Sequence, residues 1–203
     1  MNPLVIAIDS STTATKAIVV DTEGKVLALG RQDIDLLSPE QGFGEHDPRQ
    51  WWTSTRDAVA QALAQLTPAE KERIAAFGIT HQRESFAPFA ADGTPLRNGI
   101  LWLDIRAADQ VQRYGAPEIH ALSGRPADVT PGLYKMAWLK ENEPESLAKA
   151  DKVTTVSAYI AFCLTGKWVD STACSDSLGL FDIAKLDYDD GLLEIAGVRR
   201  EQM

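Results

Sequence analysis

Cysteine is nearly absent. Cys163 and Cys174 are the only two in 203 residues, and neither has CxxC spacing or a neighbouring histidine, which argues against a disulfide framework and against a zinc site. Positive charge is also short: 20 basic residues stand against 29 acidic ones, a net charge of −9, and no basic stripe interrupts the balance. Binding to nucleic acid or to an anionic membrane surface is not expected of such a chain. No apolar run is long enough to span a bilayer, and the opening "MNPLVIAIDSS" has no positive n-region. A reduced, cytoplasmic setting is expected.

The usual phosphate loops are missing too. There is no G-x-x-x-x-G-K-[ST], and "GFGEHD" at 42–47 places Asp47 where a dinucleotide fold needs its third glycine. Hydrolase signatures of the G-x-S-x-G and H-E-x-x-H kinds are absent. No repeat, low-complexity segment or linker interrupts the chain. Its length buries a sizeable core, as one large domain or as a domain with a subdomain.

What is present begins with strands. Leu4–Asp9, Lys16–Asp21 and Val26–Arg31 are nearly continuous in Val, Ile, Leu and Ala, a pattern of strands covered on both faces. "DTEG" at 21–24 joins the last two as a hairpin. A helix is predicted over about 48–66, with Asp47 as cap, Pro48 in its first turn and Gln50 completing a capping-box pattern. Trp52, Val59, Leu63 and Leu66 would form its apolar face. Strands are expected again at 73–80, 84–90, 152–156 and 167–170. Helices are expected at 107–113, 132–141, 144–148 and 157–164.

Three constellations carry chemistry. In "DSSTTATK", Asp9 ends a strand and the hydroxyls of Ser10, Ser11, Thr12, Thr13 and Thr15 crowd one turn before Lys16. Turn N–H groups form an anion-binding concavity, hydroxyls add donors, and a lysine is a compact charge that phosphates accept. Asp9 suits a hydrated Mg²⁺, which binds through one or two carboxylates plus substrate phosphates. The alternative is a solvated hairpin whose hydroxyls serve its own backbone.

In "GITHQRES", Arg83 and Glu84 follow a strand end and offer a donor fork beside a carboxylate, a pair suited to vicinal hydroxyls. An exposed ion pair of little energetic weight is the other reading, and His81 reads as a hydrogen-bonded structural residue. In "ILWLDIRA", Trp102 can present a flat face to a sugar, with Asp104 and Arg106 as acceptor and donor. An anchoring tryptophan beside a surface ion pair explains the same letters.

Together these segments resemble the FGGY family of carbohydrate kinases. "IAIDSSTTATKAIVVDTEGKVLALG", "GEHDPRQWW", "GITHQRES", "ILWLDIRA", "DKVTTVSAYIAFCLTGKWVDSTACSDSLGLFDI" and "LDYDDGLLEIAGV" stand in that family's order and approximate spacing. The resemblance implies an α/β, ribonuclease H-like (actin-type ATPase) fold with a mixed central sheet flanked by helices. It also implies ATP- and Mg²⁺-dependent phosphorylation of a hydroxyl on a sugar or polyol, such as xylulose or glycerol.

Carried over by position, Asp9 resembles the metal-organising acid, Thr12 and Thr13 the first phosphate loop, and Lys16 its closing basic residue. Arg83 and Glu84 match the pair that grips glycerol hydroxyls. Trp102 matches the aromatic wall, and Asp104 the acid more typical of sugar kinases. Two positions depart from the pattern: Ser11 stands where the loop has glycine, and Thr130 where glycerol kinases place a tyrosine against glycerol.

The resemblance further implies that residues 1–203 form the N-terminal, substrate-binding domain, a fragment that does not turn over alone. The nucleotide-binding domain and the general base are expected beyond Met203. The implied partners are ATP and a small sugar or polyol, with a homodimer allowed. A non-catalytic sugar-binding module of the same fold, suggested by Ser11, and an actin- or chaperone-like ATPase are the competing readings.

Overall fold

The computed structural model of the protein describes residues 2–203. Along the chain run β1 (Leu4–Ser10), β2 (Ala14–Asp21), β3 (Val26–Asp33), β4 (Glu45–His46), α1 (Arg49–Ala64), α2 (Pro68–Lys71), β5 (Ile74–His81), β6 (Phe86–Phe89) and β7 (Gly99–Ile100). Then come α3 (Ala108–Tyr114), α4 (Pro117–Ser123), α5 (Gly132–Asn142), α6 (Pro144–Ala148), β8 (Lys152–Thr155) and α7 (Val156–Thr165). Short elements close the chain: α8 (Thr172–Ser175), β9 (Phe181–Asp182), β10 (Asp187–Tyr188) and α9 (Asp190–Ala196). They gather into two compact units, one of residues up to Asp35 with Arg49–Gln82, the other of Leu36–Pro48 with Arg83–Met203.

The first unit is a mixed sheet of order β3-β2-β1-β5, in which β1 is antiparallel to β2 and parallel to β5. Leu4, Ile6 and Ile8 of β1 join Ala17, Val19 and Ala28 in a core closed by Ala58 and Ala62 of α1. The predicted two-sided cover is not found. β1 alternates between buried and half-buried positions, and Val26, Leu29 and Arg31 of β3 are exposed. β3 is an edge strand in this unit, so continuity of apolar letters misstates its cover.

The face of α1 also differs from expectation. Trp51, Ser54, Thr55, Ala58 and Ala62 are buried, whereas Trp52, Val59 and Leu63 sit at the margin. The cause is a close approach: a Cβ on Gly30 of β3 would run into the carbonyl of Ala58. Only small residues fit at that crossing. Gln50, expected to complete a cap, exchanges hydrogen bonds of 2.8 Å with the backbone N–H and the carboxylate of Asp35. The β2–β3 hairpin forms as expected: the Asp21 carboxylate accepts the N–H groups of Glu23 and Lys25 at 2.9 Å, and Gly24 takes φ +83°.

The second unit holds an antiparallel sheet of order β4-β7-β6-β8. Phe86, Ile100 and Val153 pack with Leu133, Met136 and Leu139 of α5 and with Leu192 and Leu193 of α9. The predicted strand at 167–170 does not form. Gly166 at φ +72° ends α7, Trp168 stacks on Phe162 at 4.1 Å, and Asp170 accepts the hydroxyls of Thr155 and Ser157 at 2.5 and 2.6 Å. Side-chain bonds hold that segment without a neighbouring strand. Helices α4 and α9 were not anticipated, although Asp189 caps α9 and Gly197 closes it at φ +75°. Among the described residues no helix is long and apolar enough to cross a membrane.

Candidate functional site

The hydroxyl-rich turn divides by face. Ser10 and Thr15 lie on the α1 side, fully buried, and the Thr15 hydroxyl meets that of Ser54 at 2.7 Å. Those two hydroxyls serve the core and are not available to a ligand. Ser11 closes the turn, with its N–H and its hydroxyl both donating to the Ala14 carbonyl at 3.0 and 2.8 Å. Its φ is not positive, so the backbone does not demand a glycine there. A Ser11→Gly variant should lose about 1 kcal/mol from the broken bond and the added chain freedom, read as a fall of a few degrees in Tm.

Thr12 and Thr13 form the tip of the turn, half-buried and exposed respectively. Asp9 lies on the face of β1 opposite the core, directly across from Lys16 on β2 and from Thr80 on β5. Cross-strand partners share a face, so the carboxylate and the ammonium stem stand side by side. No ion pair joins them, and among the described residues neither is paired with another charge within 4 Å. Asp9, Thr12, Thr13 and Lys16 therefore gather at one end of one sheet.

Arg83, Glu84, Trp102 and Asp104 belong to the second unit. Glu84 lines a small cleft of about 150 Å³ with Arg125, Asp128, Thr130 and Ser177. Burial pushes the Glu84 carboxyl above its ordinary range, against the pull of Arg83, Arg125 and Lys135. Arg125 pairs with Asp176 at 2.6 Å, and Arg83 approaches the other oxygen of that carboxylate at 3.6 Å. The Ser85 hydroxyl accepts the N–H of Trp102 at 3.1 Å, which ties the tryptophan segment to the Glu84 segment. Trp102 itself is 42% exposed.

Asp104 corrects the expectation placed on it. It is fully buried, and its two oxygens accept the N–H of Gly44 at 2.7 Å, the N–H of Arg106 at 2.9 Å and the Arg106 guanidinium at 2.7–3.0 Å. No lone pair is left for a sugar. Arg106 continues to Glu45 at 2.7 Å, which also binds Arg97 at 2.8 Å. Burial works to raise the Glu45 carboxyl, but bonds from Arg106 and Asn98 and the charge of Arg97 hold it below the usual carboxylate range. The Arg106 plane lies 3.9 Å from the Phe43 centroid. This is a structural network.

Sequence reasoning missed Arg125, Asp176 and Lys135. Arg125 and Asp176 carry no local periodicity, but Lys135 had a signal: a lone charge inside the apolar stretch "GLYKMAWL".

Residues 4–203 match the model of the FGGY family of carbohydrate kinases, N-terminal domain. The chain belongs to the FGGY family. Among curated FGGY relatives, the glycerol kinase of Thermococcus gammatolerans is 34% identical over 98% of this chain and 41% of its own length. Among solved structures, gluconate kinase from Lactobacillus acidophilus superposes with a TM-score of 0.91 at 29% identity, covering 100% of this chain and 41% of that one. Xylulose kinase from Rhodospirillum rubrum gives 0.92 at 25%, covering 98% and 42%. The chain thus spans about two fifths of the length of the FGGY proteins it matches. Its mixed sheet flanked by helices is the actin-type ATPase architecture of the FGGY kinases.

Proposed function

We propose that the full-length protein transfers the γ-phosphoryl group of ATP to a hydroxyl of a small sugar or polyol, and that this chain is its substrate-binding, N-terminal domain. The observation that carries the reading is the cleft at Glu84: Glu84 and Arg125 both line one small cleft within a family of carbohydrate kinases. A carboxylate accepts from vicinal hydroxyls while a guanidinium donates to them, and Trp102 offers an apolar face to the C–H side of the ring or chain. Relatives named for glycerol, gluconate and xylulose support a linear or ketose polyol without choosing among them.

At the other group, Thr12 and Thr13 would cradle phosphate oxygens and Lys16 would offset their charge. No cluster of three or more His, Cys, Asp or Glu suited to a metal occurs among the described residues. A single acid at Asp9 fits Mg²⁺ that arrives with the nucleotide, since that ion keeps its waters and takes one or two carboxylates. Bound there, Mg²⁺ would neutralise charge on the phosphates. None of these residues is assigned as general base. The chain's own part is to hold the acceptor hydroxyl at the Glu84 cleft and phosphate oxygens at the hydroxyl-rich turn.

The test is Arg83→Ala in the full-length protein, assayed by ATP-coupled phosphorylation against glycerol, xylulose, gluconate and related compounds. Loss of one charged hydrogen bond, about 1.5–3 kcal/mol, should raise KM for the true acceptor roughly tenfold to a hundredfold. Unchanged kinetics across the panel would refute the assignment of Arg83, and a wild-type protein that phosphorylates none of them would refute the function.

A further inference from the structure

Lys135 is a fully buried ammonium on α5. Its Nζ donates to the carbonyls of Leu101 at 2.7 Å, Trp102 at 2.9 Å and Thr130 at 3.1 Å. An ammonium has three N–H donors, so every one is used. The acceptors come from two separate loops, one carrying the exposed Trp102 and the other carrying Thr130, which lines the Glu84 cleft. A buried charge bonded only to neutral carbonyls is costly to a fold. Its retention calls for a return other than stability.

We propose that Lys135 is a positioning residue for the acceptor: its ammonium clamps the Trp102 loop to the Thr130 loop and so sets where Trp102 stands relative to the Thr130 wall of the Glu84 cleft. The inference rests on the kinase reading above. It assigns no chemistry to Lys135, which acts on substrate only through Trp102 and Thr130.

The surroundings make the clamp sensitive to pH. Burial lowers the Lys135 ammonium to about 7, against the attraction of Asp104, Glu84 and Asp128 and with the repulsion of Arg106. Tyr134 is the adjacent titratable group on α5, held above its ordinary value by burial. A neutral amine keeps two donors, so one carbonyl is released above that pH. Stability moves the other way: the unfolded lysine, near 10.4, holds its proton where the folded one has lost it, so stability rises with pH between about 7 and 10. Grip on substrate should weaken over the same range in which the fold gains. A lysine that merely supported the fold would not separate the two.

In the full-length protein, Lys135→Met should raise KM for the preferred acceptor about tenfold or more, a change of the size of one charged hydrogen bond. KM for ATP and kcat should stay within about twofold. Wild-type acceptor KM should climb as pH passes about 7, and Lys135→Arg, which stays charged, should flatten that climb. An unchanged acceptor KM, or a fall in kcat at constant KM, would overturn the clamp. Should the wild type phosphorylate no sugar, the kinase reading fails and the clamp is judged separately on this chain by NMR with ¹³C-labelled lysine. A lysine signal lost in Lys135→Arg should then titrate near 7, and the Trp102 indole signal, assigned with Trp102→Phe, should shift at the same midpoint. Titration near 10, or a Trp102 signal that does not move, would overturn it.

Discussion

Arg106→Leu is expected to destabilise the protein by about 3–5 kcal/mol, the range for removing one partner from a buried ion pair. Measured against the 5–15 kcal/mol that holds an ordinary domain together, this approaches unfolding at ambient temperature. The reason is what stays behind. Asp104 is fully buried and Glu45 nearly so; Asp104 would lose its guanidinium while still shut away from water, and Glu45 would keep only that of Arg97. Arg106→Lys keeps the charge but not the planar fork that reaches both carboxylates and stacks on Phe43, so it should recover only part of the loss. Urea unfolding of both variants decides it, and a cost for the leucine under about 1 kcal/mol would contradict the network.

Acid should act on the same place. Glu45 is held below its ordinary value in the fold, so its contribution to stability is present above the unfolded carboxyl value near 4.3. That contribution is lost as pH falls through the lower, folded value.

Asp9→Ala in the full-length protein should lower kcat by on the order of 10²- to 10³-fold, the range seen when one preorganised electrostatic contact to a developing charge is removed. Acceptor KM should change little, because Asp9 belongs to the phosphate end of the proposed reaction. Stability should also change little: the carboxylate is on the far face of β1 from the core and makes no ion pair, so nothing buried is left unpaired. Steady-state kinetics with thermal melting separates the two quantities. A variant that keeps more than a tenth of wild-type kcat would remove Asp9 from the phosphate site.

The contrast between Asp9 and Asp104 shows how far the letters alone reached. Both end apolar segments, both sit near a basic residue, and both matched positions of one family. Pattern reading found β1, β2, β3, β5, β6 and β8 and four of the longer helices, because period and punctuation are local. It did not tell an acid on an open strand face from one closed over by Gly44 and Arg106, sixty and two residues away, since burial is settled by partners distant in the chain. The hydroxyls of the first turn make the same point. Five looked equivalent, but alternation along β1 and β2 sends Ser10 and Thr15 inward to Ser54, and Ser11 spends its hydroxyl on Ala14. The face of α1 was misjudged for a related reason: the largest apolar residues were taken to point inward, whereas the closeness of Gly30 to Ala58 admits only small ones. Helix α4 had only punctuation, Pro117 in its first turn and Gly124 at its close, and the Arg125–Asp176 pair had no local signature at all.

One bond in the first unit has a practical use. The backbone N–H of Gln82, the last residue of that unit, donates to the Ser10 carbonyl at 3.1 Å, so the exit from β5 is fastened to the start of the hydroxyl-rich turn. A single amide proton therefore reads out whether the turn is closed, and its exchange with solvent deuterium offers a spectator of the site that requires neither nucleotide nor sugar.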